Sequence, residues 1–187
     1  MTTTSLTEDQ QTLNGTTLDF AQDHLTPHAV QWDQDKHFPL DTLRKAAGLG
    51  LGGVYVREDA GGSGLSRADG VLVFGALASG CPSIAGYLSI HNMVAWMLDT
   101  YGDEGQRARW LPRLCAMDDL GSYCLTEPDA RSDAGAIGTR GAGRGRLPPY
   151  RRQAVHLRGG RLPGVRRHGT HRGSGPRRHL RVRRGPG

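Results

Sequence analysis

Apolar residues recur at helical spacing through most of the first 120 positions. Residues 6–25 read as a helix, with Leu13, Leu18 and Phe20 supplying apolar contacts. Thr7 can cap its first turn, Glu8 and Asp9 lie at the positive end of its dipole, and Pro27 ends it. A loop through Phe38-Pro39 leads to a short helix, Leu40–Gly48, closed by glycine. The stretch from Gly53 to Gly64 is a loop with several glycines. Ser66 then opens a helix with Val71, Phe74 and Ala78 on one face, and Gly80 stops it. Pro82 or Ser83 starts another, to about Thr100, which places Ile84, Tyr87, Leu88, His91, Ala95 and Leu98 at helical spacing. Asp103 caps a fifth helix containing Trp110, which Pro112 restarts or kinks. Near Gly121 the pattern changes. Ser122–Thr126 reads as a short strand and Glu127–Asp133 as a turn-rich loop. The expected fold class is therefore mainly α. A helical domain covers 1–120, and a strand-containing region covers 121–140.

Composition alters the picture for the rest of the chain. Taken whole, 36% apolar residues, 28 glycines and a net charge of +6 suggest a basic, partly disordered nucleic-acid binder. The charge is not shared evenly. Residues 141–187 hold 14 Arg, 11 Gly, 5 Pro and 4 His, with no Asp, Glu or Lys. That leaves ten basic and eighteen acidic residues in 1–140, a charge of −8 that suits an ordinary enzyme surface. The segment 141–187 cannot bury enough apolar area to offset chain entropy and is expected to be disordered.

Three cysteines, Cys81, Cys115 and Cys124, form no paired spacing, which argues against a disulfide framework or a zinc site and suits a reducing cytoplasm. The N-terminus lacks the basic and apolar regions of a signal peptide, and no apolar run approaches about 18 residues, so no membrane role is expected.

Several constellations have ordinary explanations. Gly48-Leu-Gly50-Leu-Gly-Gly53 fits the spacing of a dinucleotide fingerprint, but a helical pattern precedes it where a strand is needed. It reads instead as a helix terminus. His91 lies on an apolar stripe and reads as a core histidine with a hydrogen-bond partner. Trp96 and Met97 read as packing residues. A ligand role for His91 would need convergent ligands that the sequence does not offer, and His168 and His171, though at metal-like spacing, stand in an Arg-rich stretch without aromatic interleaving that reads as simple disorder, so no metal site is expected.

The informative stretch is Tyr123-Cys-Leu-Thr-Glu-Pro-Asp-Ala-Arg-Ser-Asp-Ala-Gly135, in which a strand leads into a loop with hydroxyls at Thr126 and Ser132. Such a strand end can offer amides and hydroxyls to a flat polar ring or to phosphate. The stretch resembles the acyl-CoA dehydrogenase signature, in which a strand ends in Thr-Glu-Pro and runs into a Gly-Ser-Asp turn. Arg131 stands where that family has glycine, and a bulky cation there works against close approach of the cofactor. The resemblance extends over roughly 8–139 through Asp35-Lys-His-Phe-Pro39, Gly61-Gly-Ser-Gly64, Tyr87-Leu-Ser-Ile-His-Asn-Met-Val94 and Trp110-Leu-Pro-Arg-Leu114. It is nearest to the isobutyryl-CoA and short branched-chain members. Arg57 stands where proline is usual.

The resemblance implies the helical N-terminal domain of that fold, the first strand of its β-domain, and FAD as cofactor. Tyr123, Cys124, Leu125, Thr126, Glu127 and Ser132 would face the flavin, with Ser132 also meeting cofactor phosphate or acyl-CoA. The family's chemistry is oxidation of an acyl-CoA thioester to the 2,3-enoyl-CoA, with electrons passed to an electron-transfer flavoprotein by a homotetramer. The family's catalytic glutamate belongs to a C-terminal helical domain, so no catalytic base is assigned here and the chain as written is expected to be inactive.

The segment 141–187 reads as the same family in a shifted frame. Arg152-Gln-Ala-Val-His-Leu157, back-translated as CGG CAA GCA GTT CAT CTC and read from the second base, gives Gly-Lys-Gln-Phe-Ile-Ser. Val165–Arg172 and Arg178–Arg184 likewise give Tyr-Val-Val-Met-Ala-Arg-Thr-Gly and Gly-Ile-Ser-Ala-Phe-Val-Val in that register. All three regain the apolar character of strands. The break is placed near Arg140. The competing reading is a non-enzymatic helical module whose Arg-rich tail holds nucleic acid or anionic surfaces.

Overall fold

A computed structural model describes residues 5–123 and Asp133. The chain divides into two units, Met1–Tyr123 and Cys124–Gly187, and the architecture below is that of the first. Its described elements are α1 (Glu8–His24), α2 (Ala29–Asp35), α3 (Leu40–Gly48), a 3-10 turn (Glu58–Ala60), α4 (Arg67–Gly80), α5 (Pro82–Tyr101) and α6 (Glu104–Cys115). No strand occurs among the described residues, and Ser122 and Tyr123 belong to no regular element. The rest of the expected Ser122–Thr126 strand lies outside the described residues.

Three helices start with reciprocal capping. Thr7, Ser66 and Asp103 each accept the N–H three residues on, and the side chains of Gln10, Asp69 and Gln106 return a bond to the cap backbone. Each such cap contributes about 1 kcal/mol and fixes where the helix begins. Gly48 is the last residue of α3, and Gly50 takes the left-handed conformation at φ 81°, so these glycines do end a helix.

Two expectations are corrected. Residues 29–35, read as loop, form α2. This helix has no side-chain cap and buries none of its residues, so it leaves no apolar period to read. On α4 the buried residues are Gly70, Val73, Ala76 and Leu77, whereas Val71 is 71% exposed. Almost every residue of α4 is apolar or small, so spacing alone does not single out a face. Close approach decides it: a Cβ on Gly70 would strike the Tyr55 hydroxyl, and one on Gly80 would lie 2.8 Å from the Ala21 carbonyl oxygen.

The helices pack in sequence order from α4 onward, α4 on α5 and α5 on α6, while α1 lies against α4 and the 3-10 turn against α6. The main core gathers Phe20, Leu25, Leu43, Val54, Leu77, Leu88 and Met117 among others, and a second cluster joins Val56, Ala95, Leu111, Leu114 and Cys115. Burying each large aliphatic side chain contributes about 1.5–3 kcal/mol. No helix among the described residues is long and apolar enough to cross a membrane.

Candidate functional site: the approach to the motif

Three polar devices along α5 hold the segments around it, and one of them, His91, reaches the residues that lead into the Tyr123 segment. All three use polar side chains on the helix's buried stripe. His91, Asn92 and Asp99 are buried with Ala95 between them.

The first device is Asn92. Its Oδ1 accepts the Val54 N–H at 2.6 Å, and its Nδ2 donates to the carbonyls of Leu51 at 2.9 Å and Leu88 at 3.0 Å. One amide thus staples the glycine-rich loop to α5. That loop also lies hard against α6, since a Cβ on Gly52 would collide with the Cys115 carbonyl oxygen.

The second device is an ion cluster around Asp99. Arg107, itself buried, donates Nε to Asp99 at 2.8 Å, NH1 to Glu104 and NH2 to Asp59. Arg57 donates both its N–H, at 3.1 Å, and its guanidinium to the same aspartate. Burial alone would raise the Asp99 carboxyl, but bonds from Arg57 and Arg107 outweigh it and hold the group below the ordinary carboxylate value. Arg57, the departure from the family's usual proline, uses a backbone N–H that proline lacks.

The third device is His91, which is fully buried. Its Nδ1 accepts the Gly121 N–H at 3.0 Å, and its Nε2 lies 3.0 Å from the Leu114 carbonyl oxygen. A core histidine with hydrogen-bond partners was expected and is found. Burial pushes its pKa down, against smaller upward pulls from the Leu114 and Gly52 backbone. Before the exit, α6 ends at Cys115, and two residues on Met117 is buried and takes the left-handed conformation at φ 58°. Arg113 then holds Asp119 through Nε at 2.6 Å and NH2 at 3.0 Å. Gly121 is wedged in place, with Val94 carbons 3.1 Å from where a Cβ would stand.

Two residues later Tyr123 is 41% exposed. It is the one expected flavin-facing residue within the described part of the chain. Cys124, Leu125, Thr126, Glu127 and Ser132 lie outside the described residues, as do Arg131, His168 and His171. Among the described residues the chain passes from buried Gly121 to exposed Tyr123 within two positions. No group of three or more His, Cys, Asp or Glu able to hold a metal is present among the described residues. Sequence reasoning missed Asn92, Asp99 and Arg107. Their signal was polar residues at i+1 and i+8 from His91, on a stripe otherwise reserved for packing.

The described unit is a capped helical bundle whose sequence runs on into Tyr-Cys-Leu-Thr-Glu-Pro. The acyl-CoA dehydrogenase N-terminal domain family matches residues 7–118, and the chain belongs to the acyl-CoA dehydrogenase family. It is 52% identical over 135 residues to isobutyryl-CoA dehydrogenase, mitochondrial, of Dictyostelium discoideum, covering 72% of this chain and 32% of that protein. The Bos taurus protein of the same name is 51% identical over 134 residues, with the same coverage of 72% and 32%. A glutaryl-CoA dehydrogenase from Mycobacterium smegmatis, solved in complex with FADH2, superposes with a TM-score of 0.66 at 26% identity, covering 71% of this chain and 34% of that one. The chain thus spans about a third of the length of the curated relatives it matches.

Proposed function

We propose that the chain is the front part of an FAD-dependent dehydrogenase acting on a short or branched acyl-CoA, isobutyryl-CoA being the first substrate to test. The observation that carries this is the match to the acyl-CoA dehydrogenase N-terminal domain over residues 7–118, together with 52% identity to an isobutyryl-CoA dehydrogenase over 135 residues. FAD, when bound, would accept the hydride from the β-carbon of the acyl group. The chain's own contribution is to bind and orient. By the resemblance, Tyr123 and Leu125 would shape the strand against the ring, Thr126 would sit near its reactive edge, and Ser132 would meet cofactor phosphate or acyl-CoA, with Cys124 and Glu127 in the same cofactor-facing segment. The base that removes the α-proton belongs to the family's C-terminal helical domain. The domain reading is 1–120 helical, 121–140 the start of the β-domain, and 141–187 family sequence in a shifted frame. Tetramer formation and delivery of electrons to an electron-transfer flavoprotein go with the whole protein. Free, buried Cys81 and Cys115 suit a reducing compartment such as the cytoplasm.

The test compares two proteins: this chain, and a version with the second register restored after residue 140, extended to full family length and carrying Arg131→Gly. The restored protein is expected to purify with FAD and oxidise isobutyryl-CoA, and the chain as given to do no turnover. Turnover by the given chain, or a restored protein that takes up no flavin, overturns the proposal. Sequencing codons 130–190 checks the frame directly. The strongly basic composition of 141–187 favours a second reading, a polyanion-binding tail. It predicts affinity that falls steeply with salt and vanishes when 141–187 is deleted.

A further inference from the structure

We propose that His91 is a pH-sensitive latch on the segment that carries the chain out of the helical unit. Its ring has two partners. A ring nitrogen that accepts an N–H carries no proton, so the bond from Gly121 makes Nδ1 the bare nitrogen. The proton then sits on Nε2, which donates it to the Leu114 carbonyl. The ring is neutral and bridges the end of α6 to the start of the exit, across thirty residues of sequence on one side and twenty-three on the other.

A second proton changes the sign of one of these contacts. It would go to Nδ1, where it faces the Gly121 N–H donor to donor. The strain cannot be relieved by sliding the glycine sideways, because Val94 fills that space. It is relieved when Gly121 withdraws and water takes the ring proton. The Leu114 and Gly52 backbone favour the cation, but burial outweighs them, and the titratable groups packed nearby add no carboxylate left to pair with it. On α5, Tyr87 lies 6.2 Å away between ring centroids, and its hydroxyl, buried without a partner, is pushed further from ionisation. On α6, burial raises the thiol of Cys115, the residue after Leu114, to about 11, so it stays neutral. The loop presents only the Gly52 backbone. Along the exit, Asp119 is engaged by Arg113. Asp99, two turns further along α5, is engaged by Arg57 and Arg107.

The latch concerns the helical unit alone. It depends on the flavin assignment only for what the released segment carries, and its test uses no flavin. In the open form His91 is hydrated and titrates near its ordinary value of about 6.5. The opening equilibrium at Gly121 should therefore grow about tenfold for each pH unit below that value, until the closed form itself takes the proton. Amide hydrogen exchange on the full chain, expressed as protection factors to remove the intrinsic pH dependence, reads this at Gly121. Protection is expected to fall about tenfold between pH 7.5 and pH 5.5. A His91→Gln variant can accept and donate through its amide but cannot take a proton, and its protection should stay level over the same range. Unchanged protection in the wild type, or an equal fall in the variant, overturns the proposal. If the variant does not fold, ring nitrogen shifts of His91 in the wild type decide instead. They should report the Nε2–H tautomer at neutral pH and titrate together with the opening of Gly121. An Nδ1–H tautomer, or a titration separated from the opening, overturns it equally.

Discussion

Arg57 shows how one position can leave a family pattern and keep its place. Its φ of −60° is one that a proline ring adopts without strain, so Arg57→Pro fits the backbone. The cost is the N–H bond to Asp99, together with an ion pair on a half-exposed side chain that contributes little of itself. Stiffening the unfolded chain returns part of the loss. The net change should be a destabilisation of about 1 kcal/mol, measured as a lower urea midpoint at unchanged slope. Two residues set the acid response, in different windows. His91 has a folded pKa below its unfolded value of about 6.5, so the unfolded chain binds the proton first. Its contribution is present above pH 6.5 and lost as pH falls from there through the folded value. Asp99 also titrates below its ordinary 3.8 in the fold, so its contribution is present above that value and lost only as pH falls through the folded one. Thermal melts against pH should show an early decline that His91→Gln removes and a later one that Asp99→Asn removes. A single decline untouched by both variants would contradict this assignment.

Among the elements, the most legible were those with a chemical start signal. Thr7, Ser66 and Asp103 announced α1, α4 and α6 because a hydroxyl or carboxylate that can cap has a matching partner three residues on. The Pro82 start of α5 was legible for a related reason, since proline is pre-set for a first turn. α2 was not legible, because it has neither cap nor buried face and is held by its neighbours. The exposed side of α4 was misread because a helix that is apolar all round carries no directional period. The motif's residue types could be read from sequence, but the anchor before it could not. Nothing local to Gly121 says that an imidazole thirty positions earlier accepts its N–H. The loop from Leu51 to Val54 depends in the same way on a distant group. Asn92→Leu should strand the Val54 N–H and the Leu51 carbonyl and cost about 2–4 kcal/mol, which chemical denaturation checks. An Asn92→Ala variant with wild-type stability would show that the staple is dispensable.

For the whole molecule, the basic charge is concentrated in residues 141–187. Cutting at residue 140 removes fourteen arginines and turns a chain of +6 into one of −8. The shortened protein should pass through a cation exchanger that retains the full chain, and should lose any salt-sensitive hold on nucleic acid. Its melting temperature should stay within about 2 °C of the full chain's, as the domain reading proposed above requires. A large drop would mean that residues 141–187 support the helices.

The two apolar clusters of the described residues, with the side chains packed on them, end at Leu120. Every side chain of those clusters thus precedes the first position of the expected cofactor-facing segment, so substitutions past Tyr123 leave both clusters with their full complement of side chains.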